Sequence, residues 1–268
     1  MITHWQPKGI LHPGRSATKF QLTRYTPAPE LAPFIERYWL IRWDLRGQPP
    51  YQTSTLPQPY VNLVLEAGQS RIYGVASRTY TNLLADKGQV FGIKFKPGAF
   101  YPFLKSPIST LTDCALPVQA IFGNEAITLE KAVLAQEDAT AMTALADEFL
   151  HPRLPALDET SVLVSQIVER VIVDRTITRV EALAALFALT KRTLQRLFQY
   201  YVGVSPKWVI QRYRLHEAAE ELAHNQAANL PQLALDLGYF DQAHFSKAFK
   251  AVVGVSPLAY ARQGHLPQ

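Results

Sequence analysis

Residues 190–206 read TKRTLQRLFQYYVGVSP, and residues 241–257 read DQAHFSKAFKAVVGVSP. The two stretches align without a gap at a spacing of 51 residues, and six of their 17 positions are identical. They share the closing Val-Gly-Val-Ser-Pro and one phenylalanine, Phe198 in the first copy and Phe249 in the second. An internal repeat of this kind indicates one supersecondary unit that the chain uses twice.

Each copy predicts a short helix, a tight turn and a second helix with one apolar stripe. In the first copy Leu194, Phe198 and Tyr201 recur at helical spacing and predict the buried side. The opposite side is rich in Arg, Gln and Lys, which are side chains that bind the base edges of guanine and adenine. Two copies of this unit predict a pair of helix-turn-helix motifs. A merely solvated polar face is the alternative for either copy taken alone.

The charge of the chain is divided unevenly between its two parts. At 268 residues, with 48% hydrophobic and 18% charged residues, the chain has the size of two globular domains. Residues 175–268 hold 11 Lys and Arg against 6 Asp and Glu, which accounts for the whole net charge of +5. The excess lies in the part that contains the repeat and favours a polyanionic partner.

Few features of the sequence indicate export or membrane insertion. The N-terminal residues lack an apolar run like that of a signal peptide, and no apolar stretch reaches the length of a membrane span. Cys114 is the only cysteine, which excludes an intrachain disulfide and a cysteine-based zinc site. We therefore expect a cytoplasmic protein without a membrane partner, associated with the nucleoid when it binds DNA.

An α+β fold is predicted, with the strands in the N-terminal part and an all-α C-terminal part. Aromatic and β-branched runs, separated by Pro, Gly, Asn and Asp, predict a small antiparallel barrel or sandwich followed by accessory helices. The predicted strands are 18–25, 37–45, 60–66, 70–76 and 88–96, and the predicted helices are 117–123, 126–135 and 138–150. The aromatic residues of this part either line a ligand cavity or fill the core; they are Trp39, Trp43, Tyr51, Tyr60, Tyr73, Tyr80, Phe91 and Phe95.

A domain boundary is predicted where HPRLP (151–155) ends the last accessory helix, because its two prolines cannot continue a helix. The predicted domains are 1–150 and 158–268, joined by a linker at 151–157. Ser205 and Pro206 predict the start of a long linker helix over 205–225, and Asp138 and Asp158 predict N-caps.

The C-terminal sequence closely resembles the double helix-turn-helix domain of AraC/XylS-type transcriptional regulators. The resemblance covers about residues 160–262 and includes both motifs, their spacing and the linker-helix pattern at Arg214, Leu215, Ala218 and Leu222. It implies a single chain that places two recognition helices in successive major-groove segments, about 34 Å apart on one face of the duplex. Arg214 matches a partly buried arginine of the linker helix, so we expect a structural role for it.

The resemblance also implies DNA-contacting residues in both copies. In the first they are Arg192, Gln195, Arg196 and Gln199, with Lys191 near the backbone; in the second they are Gln242, Ala243, Ser246 and Lys247, with His244 on a base or phosphate and Lys250 near the backbone. The helix N-termini at Thr190 and Asp241 are expected beside phosphates. Ala188 stands where the family has a turn glycine, which predicts a tightened or shifted turn. The small side chains of the second copy predict that the first copy carries more base readout.

The N-terminal part resembles an uncharacterised domain that precedes the helix-turn-helix pair in a subset of these regulators. Three segments carry this likeness: RYTPAPELAPFIERYW (24–39), GIKFKPGAFYPFL (92–104) and DCALPVQAIFG (113–123). In the family such domains sense an effector or mediate dimerisation. The partners implied are double-stranded DNA, a small-molecule effector, a second copy of the chain and RNA polymerase.

Two other classes of function stay open at this point. A metal-dependent enzyme of the cupin type needs clustered ligands, but His4, His12 and His151 are scattered and no phosphate-binding or nucleophile motif is present. We therefore expect no catalytic activity, metal or cofactor, and we expect Cys114 to fill the core. A protein-binding scaffold or anti-regulator would use the same helical surface, and the absence of sequence-preferring DNA binding would favour it.

Overall fold

The computed structural model describes residues 16–225 and 229–263. His4 and His12 lie outside the described residues. In the described N-terminal part there are eight strands: β1 (Gln21–Tyr25), β2 (Ile35–Asp44), β3 (Tyr51–Thr55), β4 (Asn62–Leu65), β5 (Arg71–Tyr73), β6 (Tyr80–Leu84), β7 (Lys87–Phe95) and β8 (Ala115–Pro117). Six of them form an antiparallel sheet in the order β1-β2-β7-β4-β5-β8, and β3 pairs with β6 in a second sheet.

The five predicted strands correspond to β1, β2, β4, β5 and β7. The strands β3, β6 and β8 were not predicted, because YQTST and YTNLL are largely polar and β8 is three residues long. Polar residues are tolerated there since β3 and β6 pair mainly with each other and stay partly exposed. The α+β architecture, with an antiparallel N-terminal sheet and a helical C-terminal region, is confirmed.

The larger sheet has two different faces, because successive side chains of a strand point to opposite sides. In β7 the residues Phe91, Ile93 and Phe95 are fully buried in the core between the sheet and the accessory helices. Their neighbours Gly92 and Lys94 belong to the other face. A Cβ at Gly92 would lie 1.9 Å from Cε2 of Trp39, so only glycine allows this indole to cover the strand.

Besides two 3-10 helices (Ile108–Leu111 and His151–Arg153) and the π-helical segment Phe198–Val202 that follows Leu197, eleven α-helices are described in full. They are α1 (Tyr101–Leu104), α2 (Gln119–Phe122), α3 (Glu125–Leu134), α4 (Ala139–Leu150), α5 (Glu159–Val173), α6 (Val180–Leu186), α7 (Lys191–Leu197), α8 (Pro206–His224), α9 (Leu230–Asp236), α10 (Gln242–Val253) and α11 (Pro257–Gln263). Two predicted caps are present, since Asp138 accepts from the N–H of Ala141 and Asp158 from the N–H of Thr160, both at 3.0 Å. The predicted domain boundary itself stays a prediction.

The helical region has two apolar cores that share the linker helix α8. The first core includes Val209 and Ile210 of α8, and the second includes Leu215, Ala218 and Leu222. Because α8 contributes one end to each core, the two helix-turn-helix units are fixed on one rigid rod. Nineteen residues of α-helix span about 28 Å at about 1.5 Å per residue.

Arg214 is buried where α8 crosses the end of α5. Its side chain is 1% exposed, and Nη2 donates to the carbonyl oxygens of Val171 at 2.5 Å and Asp174 at 3.2 Å. Nη1 donates to both carboxylate oxygens of Glu217 at 2.8 Å. The guanidinium thus satisfies the Val171 carbonyl near the end of α5 and is a second donor to the Asp174 carbonyl, which also accepts from the N–H of Ile177 at 3.3 Å. This geometry supports the structural role expected for Arg214.

We expect Arg214→Ala to lower the free energy of unfolding by about 3–5 kcal/mol, because the half-buried Glu217 carboxylate loses its bidentate partner and the Val171 carbonyl loses its donor. Urea denaturation followed by circular dichroism measures this change. Arg175→Ala is the matched control, since Arg175 is exposed and reaches Glu217 only at 3.6 Å. Equal losses in the two variants would contradict the role assigned to Arg214.

Candidate nucleic-acid interface

The two recognition helices are built in the same way. In the first, Thr190 caps α7 by accepting from the N–H of Thr193 at 3.1 Å; in the second, Asp241 caps α10 by accepting from the N–H of His244 at 2.7 Å. The apolar stripe of each repeat is buried as the periodicity predicts, with Leu194, Phe198, Phe245 and Phe249 all 0% exposed. The apolar half of each helix is therefore scaffold, and the polar half is available to a partner.

The turns before these helices share one hydrogen-bond pattern. The N–H of Leu189 donates to the carbonyl of Ala184, and the N–H of Tyr239 donates to that of Ala234, both at 2.9 Å. Ala188 takes the left-handed conformation at φ 52°, as Gly238 does at φ 80°. The alanine therefore keeps the turn instead of shifting it, at the cost of an unfavourable backbone conformation.

The second turn is one residue longer than the first. Phe240 lies between the hydrogen-bonded Tyr239 and the capping Asp241, whereas Leu189 precedes Thr190 directly. The Phe240 side chain is 87% exposed. This insertion makes the two copies unequal next to the surface that faces a partner.

The shared Val-Gly-Val-Ser-Pro ends each recognition helix and begins the helix that follows it. Gly203 at φ 93° and Gly254 at φ 91° are left-handed and end the helices. Ser205 then accepts from the N–H of Trp208 at 3.1 Å, and Ser256 from that of Ala259 at 3.2 Å, so each serine caps the next helix. The identical residues of the repeat thus determine backbone geometry rather than recognition.

The structure places the expected DNA-contacting residues on the free faces of both helices. Those of the first copy are exposed, and those of the second are exposed except for the half-buried Ser246; the full set is Lys191, Arg192, Gln195, Arg196, Gln199, Gln242, Ala243, His244, Ser246, Lys247 and Lys250. Lys191 Nζ also lies 2.6 Å from a carboxylate oxygen of Glu181, and the His244 ring packs edge-on against Tyr239. Their individual roles in DNA contact stay predictions.

Further exposed residues flank this surface and were not predicted as part of it. Lys207 follows the capping serine and proline of α8, Tyr200 is 42% exposed near the end of the first recognition helix, and Phe240 occupies the longer second turn. The sequence did contain a signal for Phe240. The first helices of the two copies, α6 and α9, begin 50 residues apart, whereas the second helices, α7 and α10, begin 51 residues apart. The second turn therefore has one extra residue. The carboxylate of Asp241 occupies the helix end where a phosphate was expected.

The N-terminal domain inserts one apolar side chain into each helical core. Val75 is buried in the first core and Leu56 in the second. Thr112 Oγ1 donates to the carbonyl of Gly203 at 2.8 Å, and Thr79 Oγ1 donates to the carbonyl of Val252. Both helix-turn-helix units are therefore held from the same side.

Three contacts hold the middle of the linker helix against the N-terminal domain. Arg212 Nη2 donates to the carbonyl of Ser77 at 3.0 Å, and His216 Nε2 lies 3.1 Å from the carbonyl of Pro57. Between them, the Tyr213 hydroxyl donates to that of Tyr60 at 3.3 Å. The N-terminal domain is therefore in direct contact with α8.

A cavity of about 1230 Å³ lies between the open face of the larger sheet, the β3–β6 pair, α5 and Tyr213 of α8. Of the aromatic residues considered from the sequence, Trp39, Tyr60, Tyr73 and Tyr80 line this cavity, whereas Phe91 and Phe95 fill the core. Cys114 is exposed at the rim, so the expectation that it fills the core is wrong. It lies in the turn after the left-handed Asp113, which directs the chain outward.

Lys94 is buried in the wall of this cavity. Its Nζ donates to Oε1 of Gln58 at 2.5 Å and lies 3.6 Å from the centre of the Tyr60 ring. Burial lowers the pKa of Lys94 to about 7; attraction to Glu36 opposes that shift, and repulsion from Arg37 and Arg24 adds to it. The ammonium is therefore close to losing its proton at neutral pH.

Two family models match the chain. Residues 183–263 match a helix-turn-helix domain, and residues 23–117 match a domain of unknown function (DUF6597). These matches confirm both resemblances seen in the sequence, so the C-terminal region carries a helix-turn-helix domain of the AraC type.

Curated relatives align with the C-terminal region. An uncharacterized HTH-type transcriptional regulator of Haemophilus influenzae is 36% identical over 83 residues, which are 31% of this chain and 28% of that protein. The transcriptional activator RhaS of Escherichia fergusonii is 37% identical over 84 residues, or 31% and 30% of the two chains. The activator AarP of Providencia stuartii is 45% identical over 73 residues, or 26% and 52%. The alignments thus span about a third to a half of each relative.

Among solved structures, the C-terminal domain of the response regulator AraT from Geobacillus stearothermophilus is 27% identical. The match covers 38% of this chain and 88% of that one, with a TM-score of 0.34. ToxT from Vibrio cholerae is 13% identical with a TM-score of 0.38, over 92% and 98% of the two chains.

Among residues 16–225 and 229–263, no helix has both the length and the apolar character that a membrane span needs. The same residues hold no group of three or more His, Cys, Asp or Glu arranged to bind a metal.

We expect Ala188→Gly to raise the free energy of unfolding by about 1 kcal/mol, because glycine adopts the left-handed conformation without steric cost. The paired variant Gly238→Ala is expected to lower it by more, since its new Cβ would lie 2.6 Å from Cβ of Thr178. Urea denaturation of both variants measures the two shifts. A loss of stability in Ala188→Gly would contradict the strained turn.

The pKa of Lys94 also predicts how stability depends on pH. The unfolded lysine titrates near 10.5, so between pH 7 and 10.5 the unfolded chain binds more protons and stability rises with pH. Lys94→Met removes this contribution; its free energy of unfolding should exceed that of the wild type at pH 7, and the gap should shrink towards pH 10. Denaturation at several pH values measures this, with the exposed Lys87→Met as control. Parallel curves for wild type and Lys94→Met would contradict the assignment.

Proposed function

We propose that this protein is a sequence-specific DNA-binding transcriptional regulator of the AraC/XylS type, and that it responds to an effector through its N-terminal domain. The observation that carries this proposal is the pair of recognition helices with the same cap, core and exit, each with a free polar face, fixed on one linker helix. Residues 158–268 would bind DNA, residues 1–150 would sense the effector, and 151–157 would link them. The helix-turn-helix domain and the regulators that match it support this function.

The two copies are proposed to contribute unequally to recognition. Arg192, Gln195 and Arg196 fall on one face of the first helix and are exposed, and they supply bidentate donors for guanine and adenine. On the second helix Ala243 and the half-buried Ser246 offer shorter side chains, with Gln242 and Lys247 beside them. The first copy would therefore carry more of the base readout, and the second would mainly anchor the protein.

Other partners follow from the same proposal. Double-stranded DNA would bind in the cytoplasm, without a membrane, and RNA polymerase and a second copy of the chain are further candidate partners. Effector response is supported by the contacts at Arg212, Tyr213 and His216, since they join the cavity-bearing domain to the helix that sets the spacing of the recognition helices. No catalytic step is proposed.

We expect Arg196→Ala to weaken binding to a selected genomic operator by about 1–3 kcal/mol and to relax the preference at one base position. Fluorescence anisotropy with a set of single-base operator variants measures both effects. Arg46→Ala is the control, because Arg46 is an exposed arginine in the N-terminal domain. An equal loss on every sequence would contradict base reading by Arg196.

Salt dependence tests DNA binding as a whole. Counterions are released at each phosphate contact, so the logarithm of the binding constant should fall linearly with the logarithm of the salt concentration. If no genomic fragment is preferred over random DNA, the scaffold alternative replaces the proposed function.

A further inference from the structure

Five cationic and four carboxylate side chains line the cavity between the larger sheet and α5, and one cluster among them is unevenly charged. In this cluster Lys94 interacts electrostatically with Glu36, Arg37 and Arg24, and Glu36 interacts with Lys94 and Arg37. Glu36 forms an ion pair with Arg37. Within the described residues, neither Arg24 nor Lys94 has a carboxylate at ion-pair distance. When Lys94 is protonated, the cluster therefore carries a local excess of two positive charges.

This excess is unfavourable while the cavity holds no anion. Desolvation lowers the pKa of Arg24, with a further contribution from Arg37, and burial lowers that of Lys94 to about 7. Burial raises the pKa of Glu36, but the neighbouring Lys94 and Arg37 outweigh it and keep that pKa below its usual value. A second anion beside Lys94 and Arg24 would compensate the remaining charge.

The rest of the cavity indicates what such an anion would be attached to. Beyond the cluster its wall is largely aromatic and apolar, with Trp39, Tyr73 and Tyr80 from the sheets and Val162 and Ile172 from α5. Rings of this kind bind the faces and edges of another aromatic group. At about 1230 Å³ the cavity exceeds the roughly 300–1,000 Å³ usual for small-molecule sites, so a molecule of several rings fits.

We propose that this cavity binds an aromatic organic anion, whose carboxylate or phosphate contacts Lys94 and Arg24 while its rings lie against Trp39 and Tyr73. The regulatory meaning of this site rests on the proposed function, but the binding itself does not. Lys94 Nζ has three donor hydrogens and uses one on Gln58, so it can bind the anion without losing that contact.

A short path leads from the charge cluster to the linker helix. The Tyr60 hydroxyl accepts from that of Tyr213, and the ring of Tyr60 lies under Lys94. An anion at Lys94 competes with Glu36 for this cation and so changes the charge that faces the Tyr60 ring. Because Tyr213 belongs to α8, the contact of Lys94 with the Tyr60 ring and one hydrogen bond connect the bound anion to the helix between the two recognition units.

Calorimetry on the full-length protein without DNA tests the site. The probes are biphenyl-4-carboxylate, biphenyl-4-yl phosphate and the neutral 4-biphenylmethanol, titrated into wild type, Lys94→Met, Arg24→Gln and the control Lys87→Met. We expect at least one anion to bind more tightly than the alcohol, and each cavity variant to weaken that anion about tenfold or more, as the loss of a charge-assisted hydrogen bond predicts. Lys87→Met should bind like the wild type. Comparison of the affinities for the two anions shows whether the site prefers a carboxylate or a phosphate.

Any of three results would contradict the site. They are equal affinity for the anions and the alcohol, no binding of either anion, and unchanged affinity in Lys94→Met with a native circular dichroism spectrum. The path is tested separately with Tyr213→Phe, which keeps the ring but lacks the hydroxyl. This variant should bind the anion yet lose the anion-dependent change in operator affinity, and a retained change would refute the path. If the protein binds the anion selectively but prefers no DNA sequence, the anion site is supported and the proposed function is contradicted.

Discussion

The burial of the linker helix α8 is the constraint on which the other parts of the structure depend. Five consecutive residues, 212–216, are buried, although a helix on a protein surface usually hides one stripe. Such burial requires cover on several sides: α5, α6 and α11 contact α8 within the helical region, and the N-terminal domain contacts its middle. The recognition helices are attached to either end of this rod, so their separation is fixed by the same packing.

Three of those five residues are polar, and their hydrogen bonds determine how the domains meet. Arg214 donates within the helical region to Glu217 and the end of α5, and within the described residues only its Nε has no partner. Arg212 and His216 instead find carbonyl partners in the N-terminal domain, while Nε and Nη1 of Arg212 have no partner within the described residues. Burial lowers the pKa of Arg212 to about 10. A partly polar contact of this kind is typical of interfaces between domains that move relative to one another, and it suits the joint between the proposed sensing domain and the proposed DNA-binding domain.

The larger sheet separates the N-terminal core from the cavity, because its two faces pack against different parts of the molecule. One face is closed by α3 and α4 and holds the N-terminal core. The other carries Lys94, Arg24 and Trp39 into the cavity, whose far wall includes Tyr213 of the linker helix. The N-terminal part has no net excess of charge in its sequence, yet the fold brings Arg24, Arg37, Lys94 and Glu36 into one cluster. Charge clustering of this kind arises from register and from the strand irregularity between Ile35 and Arg37.

The amino-acid sequence by itself determined the features that depend on neighbours along the chain. The repeat, the caps at Thr190 and Ser205 and the buried stripe of each recognition helix follow from helical spacing and local hydrogen bonds, and all were predicted. The strands β3, β6 and β8, the exposure of Cys114 and the cavity with Lys94 were decided by tertiary structure. Their partners are far away in the chain, as Tyr60 and Tyr213 are, 153 residues apart. No local pattern encodes such pairs, because burial and charge compensation are settled only when distant segments pack together.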